Sequence, residues 1–217
     1  MMTERMLKEI APGGVFHAFG HDYVVLDHNF TSVAGEIGIF CLDCGDVETS
    51  RFNTLDVDEP NNYVDSELHD ASSEYSSQLY RDGLDPKNAL MFSVSLNELD
   101  GSYGWYGSIQ AEVAPLTLWQ FGRYKHLLPK NVFERPFWLV TPWTRSPYTY
   151  GSIGACCVRT DGTAYYSYVD ITYGCRPALL FRPETLVSCD GEGADPSALS
   201  EIPADDLLKE ISRRVQG

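Results

Sequence analysis

Six cysteines, at positions 41, 44, 156, 157, 175 and 189, are the side chains best suited to covalent or metal chemistry. Cys41 and Cys44 form a C-x-x-C, the spacing of half a zinc site or of a redox pair. Zinc requires two more soft or imidazole ligands in a tetrahedron. The one closely spaced second pair, Cys156-Cys157, is contiguous, and neighbours on a strand face opposite ways. A redox pair requires a helix to start at the first cysteine, whereas Leu42-Asp43 and Gly45-Asp46 read as a turn. Reduced, partly buried thiols are the expected state. The N-terminal residues carry Glu4, Arg5, Lys8 and Glu9 with no apolar stretch, so no secretory signal is expected and a reducing compartment follows.

Acid–base chemistry has fewer candidates. The five histidines (17, 21, 28, 69 and 126) are scattered, and none lies in residues 127–217. A thiol nucleophile at Cys156, Cys157 or Cys175 would have Arg159 or Arg176 nearby in sequence but no imidazole base. Asp56, Asp58 and Glu59 form an acidic loop of the kind that is ordinarily just hydrated, so no cofactor is expected; calcium, which takes flexible oxygen cages, is the alternative there. No phosphate loop, zincin motif or G-x-S-x-G is present.

Recognition chemistry is denser. Of 13 tyrosines, six fall between 143 and 175: Tyr148, Tyr150, Tyr165, Tyr166, Tyr168 and Tyr173. Ser, Thr, Gly, Asp170, Arg145 and Trp143 are interleaved with them. Antibody loops use this composition, because tyrosine offers a large, stiff, amphipathic contact for the loss of two torsions. The competing reading is ordinary sheet packing, for which tyrosine is also well suited. Alternation across 163–169 puts Ala164, Tyr166 and Tyr168 on one face and Tyr165, Ser167 and Val169 on the other. At most one set is core, and the other meets solvent.

The elements that must hold these residues are mixed. Residues 4–10 have a short helical pattern that ends at Pro12-Gly13-Gly14. Residues 15–19, 22–26 and 35–41 read as strands. Val64, Leu68, Ala71, Tyr75 and Leu79 give residues 63–84 a helical period, with Asn62 or Asp65 as cap and Gly83 closing the end. Residues 116–128 form a second helix, capped by Thr117 and stopped by Pro129. Residues 137–140 are a strand, and 156–160 and 163–169 are paired around Asp161-Gly162, a strong hairpin signal. The last strand spans 175–181, with Pro177 marking an edge or a bulge. Residues 1–187 form one domain and 188–200 a linker. Residues 201–217 form an amphipathic helix whose stripe (Leu207, Leu208, Ile211, Val215) docks on the domain, on a second copy or on a partner.

Charge narrows the partners. The chain of 217 residues carries a net charge of -15, which argues against nucleic acid. Residues 42–112 hold 15 acids and 3 bases, whereas 113–183 hold 3 acids and 8 bases. The tyrosine-rich segment therefore lies in the mildly basic part of a polar molecule. No run of 18 apolar residues predicts a membrane span.

Several of these residues also carry a resemblance. Phe137-Trp138-Leu139-Val140-Thr141-Pro142-Trp143-Thr144-Arg145-Ser146-Pro147, the central Asp161-Gly162 and Gly174-Cys175-Arg176-Pro177-Ala178-Leu179 resemble a family of phage and bacterial proteins. That family carries W-L-R-S-P, D-G and a C-terminal G-V-R-P-A-L. Upstream, Phe19-Gly20-His21-Asp22-Tyr23-Val24-Val25-Leu26-Asp27 is similar to the family's opening F-G-x-x-x-W-x-V-L-D, and 62–68 to its W-x-x-S-x-L-R helix. Tyr23, His69 and Cys175 depart from the family's Trp, Arg and Val. The likeness covers residues 15–183.

The resemblance implies a C-type-lectin-like fold of the formylglycine-generating-enzyme and retroelement variable-protein type. This is an α+β fold with two helices and a twisted, mostly antiparallel sheet, here followed by the C-terminal helical appendage. It also implies a ligand surface just before the final strand, on Trp143, Arg145, Tyr148, Tyr150, Tyr165, Tyr166, Tyr168, Asp170, Thr172 and Tyr173, with 174–179 as scaffold. The expected function is non-catalytic binding or adhesion to a protein or glycan on a cell surface, as in a phage receptor-binding or retroelement-diversified protein. The alternatives are an enzyme of the formylglycine-generating type and a structural virion protein. The expected location is the virion or the cytoplasm, without membrane insertion, and the C-terminal helix is the candidate device for homo-oligomers.

Overall fold

The computed structural model describes residues 3–99, 106–144 and 150–189. Strands β1 (Thr3–Met6), β2 (Val15–Ala18), β3 (His21–Thr31), β4 (Ile37–Asp43) and β5 (Thr49–Arg51) precede helix α1 (Glu67–Arg81). Strands β6 (Ala89–Leu90), β7 (Phe92–Ser95), β8 (Ser108–Ala111) and β9 (Val113–Pro115) lead to helix α2 (Leu118–Tyr124). Then come β10 (Phe137–Pro142), β11 (Gly154–Val158), β12 (Ala164–Tyr168), β13 (Thr172–Gly174), β14 (Pro177–Phe181) and β15 (Leu186–Cys189). The protein is α+β, with two α-helices among the described residues and mostly antiparallel sheets.

The larger sheet runs β1-β15-β2-β3-β4-β14-β6, with β9 also paired to β14. Both faces of its centre are buried, so β4 and β14 read as unbroken apolar runs. Alternation divides them between two cores. Phe40, Leu42, Ala178 and Leu180 join the main core around Trp138, Phe52 and Tyr63. Ile39, Cys41, Leu179 and Phe181 join a second core with Phe16 and Tyr23. Gly38 is required by close approach: a Cβ there would lie 2.8 Å from Leu180 and 2.9 Å from Leu90.

The smaller sheet is ordered β12-β11-β10-β13-β5, with β10 and β13 parallel and its other pairs antiparallel. It places β12 at an edge. A separate pair, β7 and β8, completes the strands.

Residues 4–10 are not a helix. They form β1 and a 3-10 turn, Leu7–Glu9, because β1 pairs with β15 from Thr3↔Cys189 to Met6↔Leu186. A seven-residue helical pattern is too short to hold its own shape against such a ladder. The strand over 175–181 is neither last nor at an edge: β14 lies between β4 and β6/β9, and β15 follows it. Pro177 fits because it is the first residue of that strand.

Helix α1 starts later than its period suggests. Its cap is Ser66, whose hydroxyl accepts from His69 N at 3.1 Å, not Asn62 or Asp65. Its end is the predicted one. Gly83 N–H donates to Tyr80 O at 3.3 Å and Leu84 N–H to Leu79 O at 2.9 Å, with Gly83 at φ 99°. Helix α2 carries the predicted Thr117 cap as a reciprocal box with Gln120. Ser188 and Cys189, placed in the linker by the sequence, end β15. The helix expected over 201–217 lies outside the described residues.

Candidate ligand-binding surface

Four side chains from β10's exit, the β11–β12 turn and β12 form one continuous stack. The Arg159 guanidinium lies 5.0 Å from the Tyr165 ring centroid. Tyr165 and Tyr166 stack at 5.0 Å, with 20° between ring planes. Tyr166 then meets Trp143 at 4.4 Å and 37°. These separations are in the range where ring pairs and cation–ring pairs attract. Alternation puts Tyr165 and Tyr166 on opposite faces. On an edge strand both rings can instead fold toward the open side, and here they touch.

The stack is exposed. Tyr165, Tyr166 and Tyr168 retain 51%, 39% and 49% of their surface, and Ile171 beside them 41%. Trp143 is half-buried. No residue of β12 is buried, and Val169, just after it, is fully buried.

The hairpin that presents these rings is set by Asp161 and Gly162, though not by a two-residue turn. Gly162 N–H donates to Arg159 O and Arg159 N–H to Thr163 O, both at 2.9 Å. Gly162 has φ 75°, and no described non-glycine residue of the turn has a positive φ. That pattern is a three-residue loop ending in a left-handed glycine. Asp161 Oδ1 accepts from Thr163 N at 2.9 Å and from Thr163 Oγ1 at 2.6 Å. These bonds hold the Asp161 carboxyl below its ordinary range.

Asn61, which the sequence places in a featureless polar stretch, anchors the other end of the stack. It is fully buried, and its Nδ2 donates to Thr144 O at 2.9 Å and to Gly154 O at 3.1 Å. Tyr106 OH donates to its Oδ1 at 2.9 Å. Trp143 N–H also donates to Gly154 O at 3.0 Å. One amide thus ties the exit of β10 to the start of β11, with Trp143 between. Asn61 and Arg159 are the two residues that sequence reasoning missed. The Pro60-Asn61-Asn62 run signals a turn but not what its amide reaches.

The remaining predicted residues are placed as follows. Tyr173 is half-buried: its ring lies 4.8 Å from Trp138 and its hydroxyl 3.2 Å from Ser167 Oγ. Its ring packs on Trp138 and is not part of the stack. Asp170 and Thr172 are exposed on the turn and strand after β12. Arg145 and Tyr148 lie outside the described residues. Tyr150 begins the 3-10 turn Tyr150–Ile153.

The thiols sit in apolar surroundings. All six cysteines are buried, and Cys41, Cys44, Cys156, Cys157 and Cys175 are free thiols. Burial pushes the Cys44, Cys156 and Cys175 thiols up to about 12 and Cys157 to about 11, and Cys41 well above its ordinary value. Thiols so shifted stay protonated at neutral pH and are poor nucleophiles. The acidic loop residues Asp56 and Asp58 are exposed. Among the described residues, no group of three or more His, Cys, Asp or Glu side chains is gathered as a metal cage. No helix among them is long and apolar enough to cross a membrane.

A buried polar centre lies behind the second core. Asp43, with a fully buried carboxylate, accepts from Tyr75 OH at 2.6 Å and from Gly45 N at 2.9 Å. His21 Nδ1 lies 3.0 Å from it, and Tyr23 and Tyr75 hydroxyls are 2.9 Å apart. The bond to Asp43 raises the His21 pKa above its ordinary 6.5.

Fold and surface together define a mixed α+β protein with an exposed aromatic ladder on a sheet edge. Comparison of the chain with protein-family models, with curated proteins and with solved structures gave no match.

Proposed function

We propose that the protein is a non-catalytic binding or adhesion module that holds a protein or glycan ligand of a cell surface on the ladder of Arg159, Tyr165, Tyr166 and Trp143, extended by Tyr168. In this reading the fold is C-type-lectin-like, and the setting is that of a phage receptor-binding or retroelement-diversified protein. Asp170 and Thr172, exposed on the turn and strand after β12, extend the same surface. Tyr173, packed on Trp138, is not part of the ladder.

The observation that carries the reading is the exposure of the ladder. Three tyrosines on one short strand leave water-covered apolar area that folding does not use, and such patches mark interaction sites. Trp, Tyr and Arg are also the types that dominate binding hot spots. Support at both ends, from the Asp161-Gly162 turn and from Asn61, presents the rings in fixed positions, which lowers the ordering cost of binding. The protonated state of the thiols supports binding over thiolate chemistry.

Adsorption of the purified protein to a panel of bacterial cells and arrayed glycans tests this. Tyr166→Ala with Tyr168→Ala should abolish adsorption and leave the melting temperature nearly unchanged. Undiminished adsorption by that variant would overturn the reading.

A further inference from the structure

A separate surface, concave and built from different elements, has its own chemistry. Strand β3, strand β7 and helix α2 enclose an open groove of about 780 Å³. That is within the roughly 300–1,000 Å³ of small-ligand sites. On its rim stands Trp119, the most exposed large apolar side chain described, with 70% of its surface in water. An indole so placed, beside a groove, offers a large flat apolar face to a ligand.

The indole is held in place. Arg123, one turn along α2, lies 5.6 Å from the Trp119 ring and 5.2 Å from the Tyr124 ring. Its Nη2 is 3.2 Å from Asp27 Oδ2, and Tyr124 OH donates to the same oxygen at 2.7 Å. Asp27 Oδ1 accepts from Asn29 N at 2.9 Å. The helix start beneath Trp119 is fixed by the Thr117–Gln120 box, and Leu118 N–H donates to Thr141 Oγ1 at 2.8 Å.

Strand β3 is irregular at this wall. Its register with β4 shifts on both sides of Asp27, between Val25 and Asp27 and again between Asp27 and Phe30. Bulges of this kind re-aim side chains and recur next to binding sites. Here they bring Asp27, Asn29 and Phe30 into one lining.

We infer that this groove is a saccharide-binding site for a neutral sugar chain, with Trp119 as the platform for one pyranose face and Asp27, Asn29 and Arg123 as the polar edge. Stacking on an indole needs a flat, rigid apolar partner, and a pyranose presents its axial C–H face in that way. Its hydroxyls both donate and accept, so they match a wall that mixes a carboxylate, an amide and a guanidinium. The charge of the lining selects against anions. Arg123 is already tied to Asp27, and Glu98 adds a second carboxylate. A phosphate or sulfate would meet a negative balance. The groove is open rather than enclosed, which admits a chain ligand. The ladder on β12 and this groove share no residue, so either can fail without the other.

The test uses the full chain and a panel of soluble neutral hexaoses (cello-, xylo-, malto-, manno- and N-acetylchito-oligosaccharides), read by calorimetry and tryptophan emission. At least one should bind with an emission change. Trp119→Ala should weaken that binding at least about tenfold, the loss of about 1.4 kcal/mol. Trp119→Phe should retain much of it, and both variants should melt near the parent. The inference is overturned if no saccharide gives heat or an emission change at about 10 mM, a concentration that reveals even millimolar affinities. It is equally overturned if binding survives Trp119→Ala, or if only peptides of a control library respond.

Discussion

Strands β11 and β12 are paired residue for residue, yet they live in opposite environments. Gly154, Ala155, Cys156, Cys157 and Val158 are all buried, whereas Ala164, Tyr165, Tyr166 and Tyr168 opposite them are exposed. Cys156 faces Tyr166 across the ladder and Cys157 faces Tyr165. The difference is one of position in the sheet. β11 has neighbours on both sides and core on both faces. β12 has one neighbour, so its side chains serve the surface. The lesson is that the strand richest in large rings is not the strand that holds the fold together.

Substitutions can sharpen or break that contrast, starting with the interior. Trp138, in β10 beside β11, is fully buried, packs edge-on against Phe52 at 5.6 Å and donates to Ser50 O at 3.1 Å. Trp138→Ala should cost about 3–5 kcal/mol in chemical denaturation. Asn61→Ala leaves buried carbonyls of Thr144 and Gly154 without their amide donor and should cost about 3 kcal/mol. It should also weaken ligand binding, since it loosens the exit of β10 that carries Trp143; full retention of binding would show that the anchor is structural only. Cys156→Ser places a hydroxyl in an apolar site and should cost about 1–3 kcal/mol. Its cross-strand partner should cost less: Tyr166→Ser, which removes one half-exposed ring from the stack, should change stability by no more than about 1 kcal/mol. Equal costs for that pair would erase the distinction between the two strands.

A pH effect separates the second core from both strands. His21 faces Asp43, Tyr75 and Tyr23, with Asp82 and Asp22 nearby. Its folded pKa is raised above 6.5, first by the hydrogen bond to Asp43. The stability it contributes is therefore fully present below the unfolded value and is lost as pH rises through the raised folded value. Melting temperature should fall across that window, and His21→Gln should flatten the fall. A slope unchanged in the variant would assign the effect elsewhere.

Much of this architecture is legible in the sequence where local and tertiary preferences agree. Thr117 caps α2, Gly83 closes α1, and Asp161-Gly162 turns the hairpin, each because short-range geometry demands that residue. Residues 4–10 mislead because β15, nearly the whole chain away, supplies the ladder that overrides a weak helical pattern. Pro177 misleads because a proline at the first position of a central strand looks the same in sequence as one at an edge. The site was legible in composition but not in grouping. Tyr173 belongs to the same tyrosine-rich segment as Tyr166, yet its ring packs on Trp138. Asn61 is invisible in sequence because its partners lie 45 to 93 residues away.

Tyrosine nitration with mass-spectrometric readout, in the presence and absence of cells that adsorb the protein, addresses the ladder most directly. The account predicts that Tyr165, Tyr166 and Tyr168 are nitrated in the free protein and protected on the cells, while the buried Tyr23 and Tyr63 stay unmodified in both. Nitration of the three β12 rings that proceeds equally in both states would contradict it.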